Sequence, residues 1–346
     1  TYMRLHNEAV RTRDPLGVTL YSQNKIDNTI NGGNPYVYPA NDWYDIMFNN
    51  FTSNQRLNLN LSGGGKVARY YLAATLNNDN GNLKVNKLSN FNSNINLKRY
   101  MLRTNVNINV TKTTEVKVRL QGTFDDYKGP LDGGDKLYEK VMSANPVLFP
   151  PYYAKDEANE FTKHILFGNY DKAQFMNPYA EMTKGYKDYS TSQMFAQFEL
   201  EQKLDFITKG LSLRGLMNTS RYSYFDVQRY YNPFFYQVGS YDKPSDAYKL
   251  NLLNETSGTE YLDYKEGTKR VESATYFEAS ANWNRMFHEK HDFGAMLVFT
   301  MREFLTGNAG DLQSSLAVRN LNLAGRFTYG YDGRYYGELN FGYNGS

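Results

Sequence analysis

The chain of 346 residues contains no cysteine. That excludes a disulfide scaffold and any thiolate chemistry. No apolar run approaches the roughly 18 residues a transmembrane helix needs, so no helix of this sequence spans a bilayer. Histidine is scarce. His6 and His164 stand apart, and His288 and His291 flank Glu289-Lys290 in a tight connection with no third metal ligand in view. Asp125, Asp126, Asp132 and Asp135 lack the spacing and terminal Glu of a calcium loop. There is no P-loop, no G-x-S-x-G and no G-x-G-x-x-G after a strand. The formal net charge is only +3, and the Lys and Arg are scattered. That gives no case for nucleic acid. Neither a catalytic residue nor a metal nor a cofactor is expected.

What is present is a rhythm. Leu57, Leu59 and Leu61 alternate with Asn58, Asn60 and Ser62, and a Gly63-Gly64-Gly65-Lys66 turn leads to Tyr70–Leu76. Leu102, Thr104, Val106, Ile108 and Val110 alternate with Arg103, Asn105, Asn107 and Asn109. After a turn near 111–114, Val116, Val118, Leu120, Gly122 and Phe124 alternate with Lys117, Arg119, Gln121, Thr123 and Asp125. A strand has a side-chain period of two, so each segment carries one apolar and one polar face. Three further pairs are expected over 192–204 and 211–222, 272–287 and 292–304, and 319–331 and 334–345. Asp332-Gly333 gives the last pair a two-residue hairpin signal. The total is about ten strands in five hairpins over 53–346.

The connections alternate in length. Those within a pair are very short, and those between pairs run over 78–98, 127–190, 224–270 and 305–317. Many segments reach about ten residues, enough to cross a bilayer at a tilt, whereas soluble strands are usually nearer five or six. Together these predict an all-β fold: part of an antiparallel transmembrane β-barrel with short periplasmic turns, long extracellular loops and contact with outer-membrane lipid. A soluble β-sandwich also alternates, and strand length and loop asymmetry weigh against it. The mean hydropathy of −0.67 is no obstacle, because only alternate residues meet lipid.

Residues 1–52 precede this pattern. A short helix over 1–13 is ended by Asp14-Pro15, and 14–52 reads as an extracellular loop with turn chemistry at Asn31-Gly32-Gly33-Asn34-Pro35. The chain opens on Thr1-Tyr2-Met3 with no signal peptide and stops directly after a strand. A barrel must close, so it is expected to be an internal piece with further strands on both sides.

Two residue sets are candidates for function. The polar strand faces carry Arg103, Asn105, Asn107, Asn109, Lys117, Arg119, Gln121, Glu199, Glu201, Arg214, Glu278, Asn282, Asn284, Arg326, Glu338 and Asn340, which would line the barrel lumen. The loops carry Phe149, Tyr152 and Tyr153, and Tyr230, Tyr231, Phe234, Phe235 and Tyr236. Their rings could stack on sugars, clamp a peptide or pack on a partner protein. They could equally pack on one another or form a girdle at the membrane surface.

Several stretches carry a family resemblance. They are Asn7-Glu8-Ala9, Tyr38-Pro39, Asp42-Trp43-Tyr44-Asp45, Leu59-Asn60-Leu61-Ser62-Gly63-Gly64 with Arg69-Tyr70-Tyr71, Arg99-Tyr100-x-x-Arg103-x-Asn105, and Leu323-Ala324-Gly325-Arg326-Phe327-Thr328-Tyr329 running through Arg334-Tyr335-Tyr336 to Phe341-Gly342-Tyr343-Asn344-Gly345. In order and spacing they resemble the SusC/RagA family of TonB-dependent outer-membrane transporters of Bacteroidetes. The resemblance covers the two ends well and the middle loops hardly at all. It implies a roughly 22-stranded barrel around an N-terminal plug, of which this is the first half of the wall without its first strand. It also implies energy coupling to the TonB complex through the plug, a SusD-like surface lipoprotein as lid, and an oligosaccharide or peptide as ligand. Plug and TonB box are absent from this sequence. A porin, an iron-chelate transporter without the lid, and a surface glycan-binding β-protein stand as alternatives.

Overall fold

The computed structural model describes residues 1–85 and 88–345. Residues 86 and 87 of the expected connection 78–98, and Ser346 at the end of the expected wall, lie outside them. In chain order the elements are α1 Tyr2–Arg13, α2 Gln23–Ile30, α3 Trp43–Met47, β1 Gln55–Gly64, β2 Ala68–Asn80, β3 Asn96–Asn109, β4 Thr114–Gly129 and α4 Gly133–Ser143. Then follow β5 Phe167–Gly168, α5 Pro178–Thr183, β6 Gly185–Lys203, β7 Leu211–Tyr230, β8 Phe235–Asp242 and β9 Ala247–Leu252. The last are β10 Asp263–Phe287, β11 His291–Thr306, α6 Leu312–Ser315, β12 Val318–Tyr331 and β13 Tyr335–Gly345.

Ten of the strands form one antiparallel sheet in the order β1-β2-β3-β4-β6-β7-β10-β11-β12-β13. These are the ten expected strands, paired in five hairpins through connections 65–67, 110–113, 204–210, 288–290 and 332–334. The sheet is open, since β1 and β13 each have a single neighbour among the described residues. The hairpin signal at Asp332-Gly333 is realised. Their φ values are 51° and 64°, as in a type I′ turn, and the Arg334 amide donates to the Tyr331 carbonyl at 2.9 Å. His288 and Glu289, with φ of 51° and 57°, make the equivalent turn without a glycine.

The register sorts side chains into two faces. One row runs Tyr70, Val106, Val118, Phe198, Met217, Phe277, Met301 and Leu321 across eight adjacent strands. The rows toward the short turns are equally apolar: Ile108, Val116, Leu200, Gly215, Ala279, Phe299 and Leu323 form the next. These side chains are not buried by protein: Leu59 is 61 % exposed, Leu102 52 %, Met217 52 % and Phe341 56 %. An apolar surface of that extent is what lipid covers. On β4 the apolar outward residues run from Val116 to Phe124. That is about 26 Å along the strand and about 20 Å along the barrel axis once tilted, close to a hydrocarbon thickness.

Three strands overshoot this band. β6, β7 and β10 have 19, 20 and 25 residues, where about ten suffice to cross. They stay paired up to Gly185, Tyr230 and Asp263, so part of what the alternation assigned to loops 127–190 and 224–270 is sheet standing above the membrane. The remaining loops are not irregular either. α2 and α3 occupy the stretch expected as loop over 14–52, and β5, β8 and β9 form a separate three-stranded sheet. The buried apolar core lies here rather than in the wall. Met3, Tyr21, Ile26, Trp43 and Met47 from the leading segment pack with Leu137, Val141, Phe149, Phe167, Tyr179 and Met182 from the connection 130–184.

Candidate functional site

All of the candidate polar-face residues fall on the face opposite the apolar rows. Near the short-turn end some of them form a belt of ion pairs to which five strands contribute charges. Lys117 on β4 lies 2.9 Å from Glu199 and 3.3 Å from Glu201, both on β6, and 3.6 Å from Glu115. Arg214 on β7 reaches Glu199 at 3.0 Å and Glu278 on β10 at 2.6 Å, and the Tyr276 hydroxyl donates to Glu278 at 2.8 Å. Arg69 on β2 closes the belt on Glu115 at 3.3 Å. Register puts the members on β4, β6, β7 and β10 on adjacent strands at adjacent levels, where opposite charges meet, and Arg69 reaches Glu115 across β3. Beside the belt, Arg119 donates to Asn107 at 2.7 Å, Arg103 donates to Gln121 at 3.0 Å, and Asn109 donates to the Lys66 carbonyl at 2.8 Å. Asn105 sits between them, opposite Arg119. Arg69 and Glu115 lay outside the candidate set, although their parity on β2 and β4 places them on this face.

Toward the long-loop end the same face turns aromatic. Tyr127 and Tyr189 stack at 4.6 Å, and Tyr189 meets Tyr224 at 5.7 Å. Arg99 binds both carboxylate oxygens of Asp125 at 2.8 and 3.1 Å, and the Arg270 guanidinium lies 5.5 Å over the Tyr222 ring. Tyr230 sits at the top of β7, paired with Gly185 and Asp263.

The remaining loop aromatics pack within the loops. Phe149 is fully buried, Tyr153 and Tyr236 are buried, and Tyr152, Tyr231 and Phe235 pack against the main loop core. Phe234 packs in the second, smaller cluster and stacks on His164 at 4.2 Å. Burial pushes the Tyr231 phenol up to about 12. The alternation could not reveal this, because the partners lie far away in sequence.

What fixes the loops is a set of asparagines. Asn177 caps α5, accepting from the amides of Tyr179 and Ala180 at 3.0 and 3.2 Å, and donates to the carbonyls of Gly168 and Pro151 at 2.8 and 2.9 Å. Asn169 accepts from the Tyr170 and Phe175 amides and donates to the Phe175 carbonyl. Asn7 donates to the Tyr21 carbonyl at 2.7 Å, Asn145 donates to the Tyr21 hydroxyl at 2.9 Å, and Asn41 donates to the Phe149 carbonyl at 2.7 Å. Trp43 donates its indole N–H to the Asn145 carbonyl at 3.0 Å. Buried backbone polar groups need partners, and an amide supplies donors and an acceptor at once. Gly168 is required for the close packing beneath, since a Cβ there would stand 2.0 Å from the Pro150 carbonyl oxygen. Sequence reading missed these brackets. Asn7 and Trp43 stood out only through the family resemblance.

An open ten-stranded sheet with one lipid-facing side, one polar side, short turns at one end and a folded dome at the other defines part of the wall of a bacterial outer-membrane β-barrel. No protein-family model and no curated protein matches the chain. Among solved structures it is similar to the RagAB peptide transporter, with a TM-score of 0.59 and 14% identity over 99% of this chain and 39% of that one. It is also similar to the RagAB peptide importer in its closed-closed state, with a TM-score of 0.53 and 13% identity over 88% of this chain and 33% of that one. The open-open state gives 0.52 and 14%, over 88% and 32%. The chain thus spans about a third to two fifths of the chains it matches. At these identities the likeness is one of fold, the fold that the chain shares with the RagAB transporter.

Proposed function

We propose that this chain forms part of the wall and loop dome of a TonB-dependent outer-membrane importer. The observation that carries the reading is the two-sided sheet: a predominantly polar face across ten strands, opposite a predominantly apolar one. The polar face lines a wet lumen, and its ion-pair belt lies at the short-turn end, where a plug domain would be held. Arg103, Asn105, Asn107, Asn109, Lys117, Arg119, Gln121, Arg214 and Glu278 serve as lumen-lining groups. A peptide or an oligosaccharide is the cargo. A SusD-like lipoprotein covers the dome, and the TonB complex acts through the plug. RagAB, whose fold the wall shares, is a peptide transporter, which supports both the two-component reading and a peptide cargo. The loop aromatics serve the dome's architecture first, and the exposed surface they support meets cargo or lid.

Purification of the full parent protein from outer membranes in mild detergent, with mass spectrometry of what accompanies it, tests the reading. A stoichiometric surface lipoprotein is expected. A barrel arriving alone would favour a porin or an iron-chelate transporter.

A further inference from the structure

We propose that a groove on the lipid-facing side of the wall holds one anionic phospholipid of the periplasmic leaflet, its phosphate on Arg285 and an acyl chain in the groove. The parity that places Phe277 in the apolar row puts Ala281, Trp283, Arg285 and Phe287 of β10 on the same face. Near the short turns, side chains of unequal size break that face. At one level Ala295 stands between Trp283 and Phe327, and at the next Leu297 stands between Ala281 and Gly325. Over these small residues opens a cavity of about 300 Å³, walled by Leu211, Trp283, Phe327, Leu339 and Phe341. Its walls are apolar and it opens toward the bilayer, so hydrocarbon is what fills it.

The charge beside the groove selects the lipid. Arg285 lies two residues beyond Trp283, about 7 Å along the strand toward the short turns. Its guanidinium sits 4.6 Å from the centroid of the Phe287 ring and donates to the Thr208 hydroxyl at 3.3 Å. It has no carboxylate partner among the described residues. Next to it, Phe287, His291, Tyr331 and Tyr335 form the last level of this face on four adjacent strands. Such an aromatic girdle marks the headgroup region, and a cation on the lipid face costs little at that depth. The neighbouring short turns carry Asp205 with Lys209, Glu289 with Lys290 and Asp332 with Arg334, one charge of each sign. Arg285 is therefore the surplus charge, and a guanidinium grips a phosphate through paired N–H donors. Groove, cation and girdle follow one another toward the periplasm, as acyl chain and headgroup do. A zwitterionic headgroup would add an ammonium beside a cation that nothing neutralises, so a lipid of net negative charge is favoured.

The experiment titrates the full parent protein in detergent and counts bound lipid by native mass spectrometry. The probes are phosphatidylglycerol and phosphatidylethanolamine with identical acyl chains, and glycerol 3-phosphate. Phosphatidylglycerol is expected to bind about fivefold tighter than phosphatidylethanolamine, the worth of one basic residue at an anionic headgroup. Arg285→Gln should abolish that preference. Ala295→Phe, which fills the groove, should weaken the binding of both lipids. Heat-modifiable mobility shows whether each variant folds, and Arg285→Gln carries the test by itself if Ala295→Phe does not. Equal binding of the two lipids by the wild type, or a preference that survives Arg285→Gln, overturns the proposal. Glycerol 3-phosphate binding as tightly as the lipid overturns it too, since the groove would then play no part. A dimer of the parent protein that Ala295→Phe disperses would give the groove to a second copy and likewise overturn it. None of these outcomes touches the importer reading.

Discussion

At the residue scale, single side chains hold long stretches of backbone in place. Asn177→Ala leaves two carbonyls and two amides of the dome interior without partners. Each such group costs about 1–3 kcal/mol, so about 3 kcal/mol or more of local stability should be lost. Faster cleavage within 130–184 in limited proteolysis of the intact parent protein would register it. Lys25, half-buried on α2, is a second case. Burial pushes its ammonium from 10.5 down to about 8. Between those values the unfolded chain binds more protons than the folded one, so the leading segment should grow more stable as pH rises through that window. Lys25→Met should be more protease-resistant than wild type at pH 7, and the two should converge near pH 10. Glu199 is the third. Its side chain is 9 % exposed and is held by two cations. Glu199→Ala removes the carboxylate the two cations share, leaving Lys117 with Glu201 and Glu115 and Arg214 with Glu278, and should cost about 1–2 kcal/mol, seen as a lower urea midpoint of the folded barrel.

At the element scale, the wall was legible and the dome was not, for one physical reason. A lipid-crossing strand writes its burial into its own alternation, as Leu102 to Val110 and Val116 to Phe124 show. The upper parts of β6, β7 and β10 lie in water on both faces, so Ser223 to Tyr230 carries aromatics inward and outward and loses the signal. The helices α2 and α3 and the brackets of Asn41 and Asn145 depend on contacts about a hundred residues away, which no local pattern contains. The polar-face candidates were recoverable by parity alone. Turn chemistry was fully local. Gly333→Val puts a β-branched residue at a φ of 64° and should destabilise that hairpin by about 1–2 kcal/mol, measurable as slower folding of the parent barrel into detergent micelles.

At the scale of the whole molecule, the two faces should respond oppositely to one substitution. Met217 lies in the middle of the apolar row and Asn218 beside it on the polar face. Met217→Arg should cost about 2–4 kcal/mol at the bilayer midplane. Asn218→Arg should be tolerated. The fraction of heat-modifiable barrel recovered from outer membranes would separate the two, and equal yields would contradict the assignment of faces.

The packing of residues 1–52 into the dome has a consequence for the thermodynamics of capture. Loops that order only on binding surrender conformational entropy at that moment, and coupled folding carries a large negative heat-capacity change. Here Trp43, Asn145, Phe149 and Asn177 have already met that cost in the folded protein. A ligand reaching this surface therefore faces a preorganised receptor. Its binding heat capacity should reflect only the apolar area that leaves water at the contact.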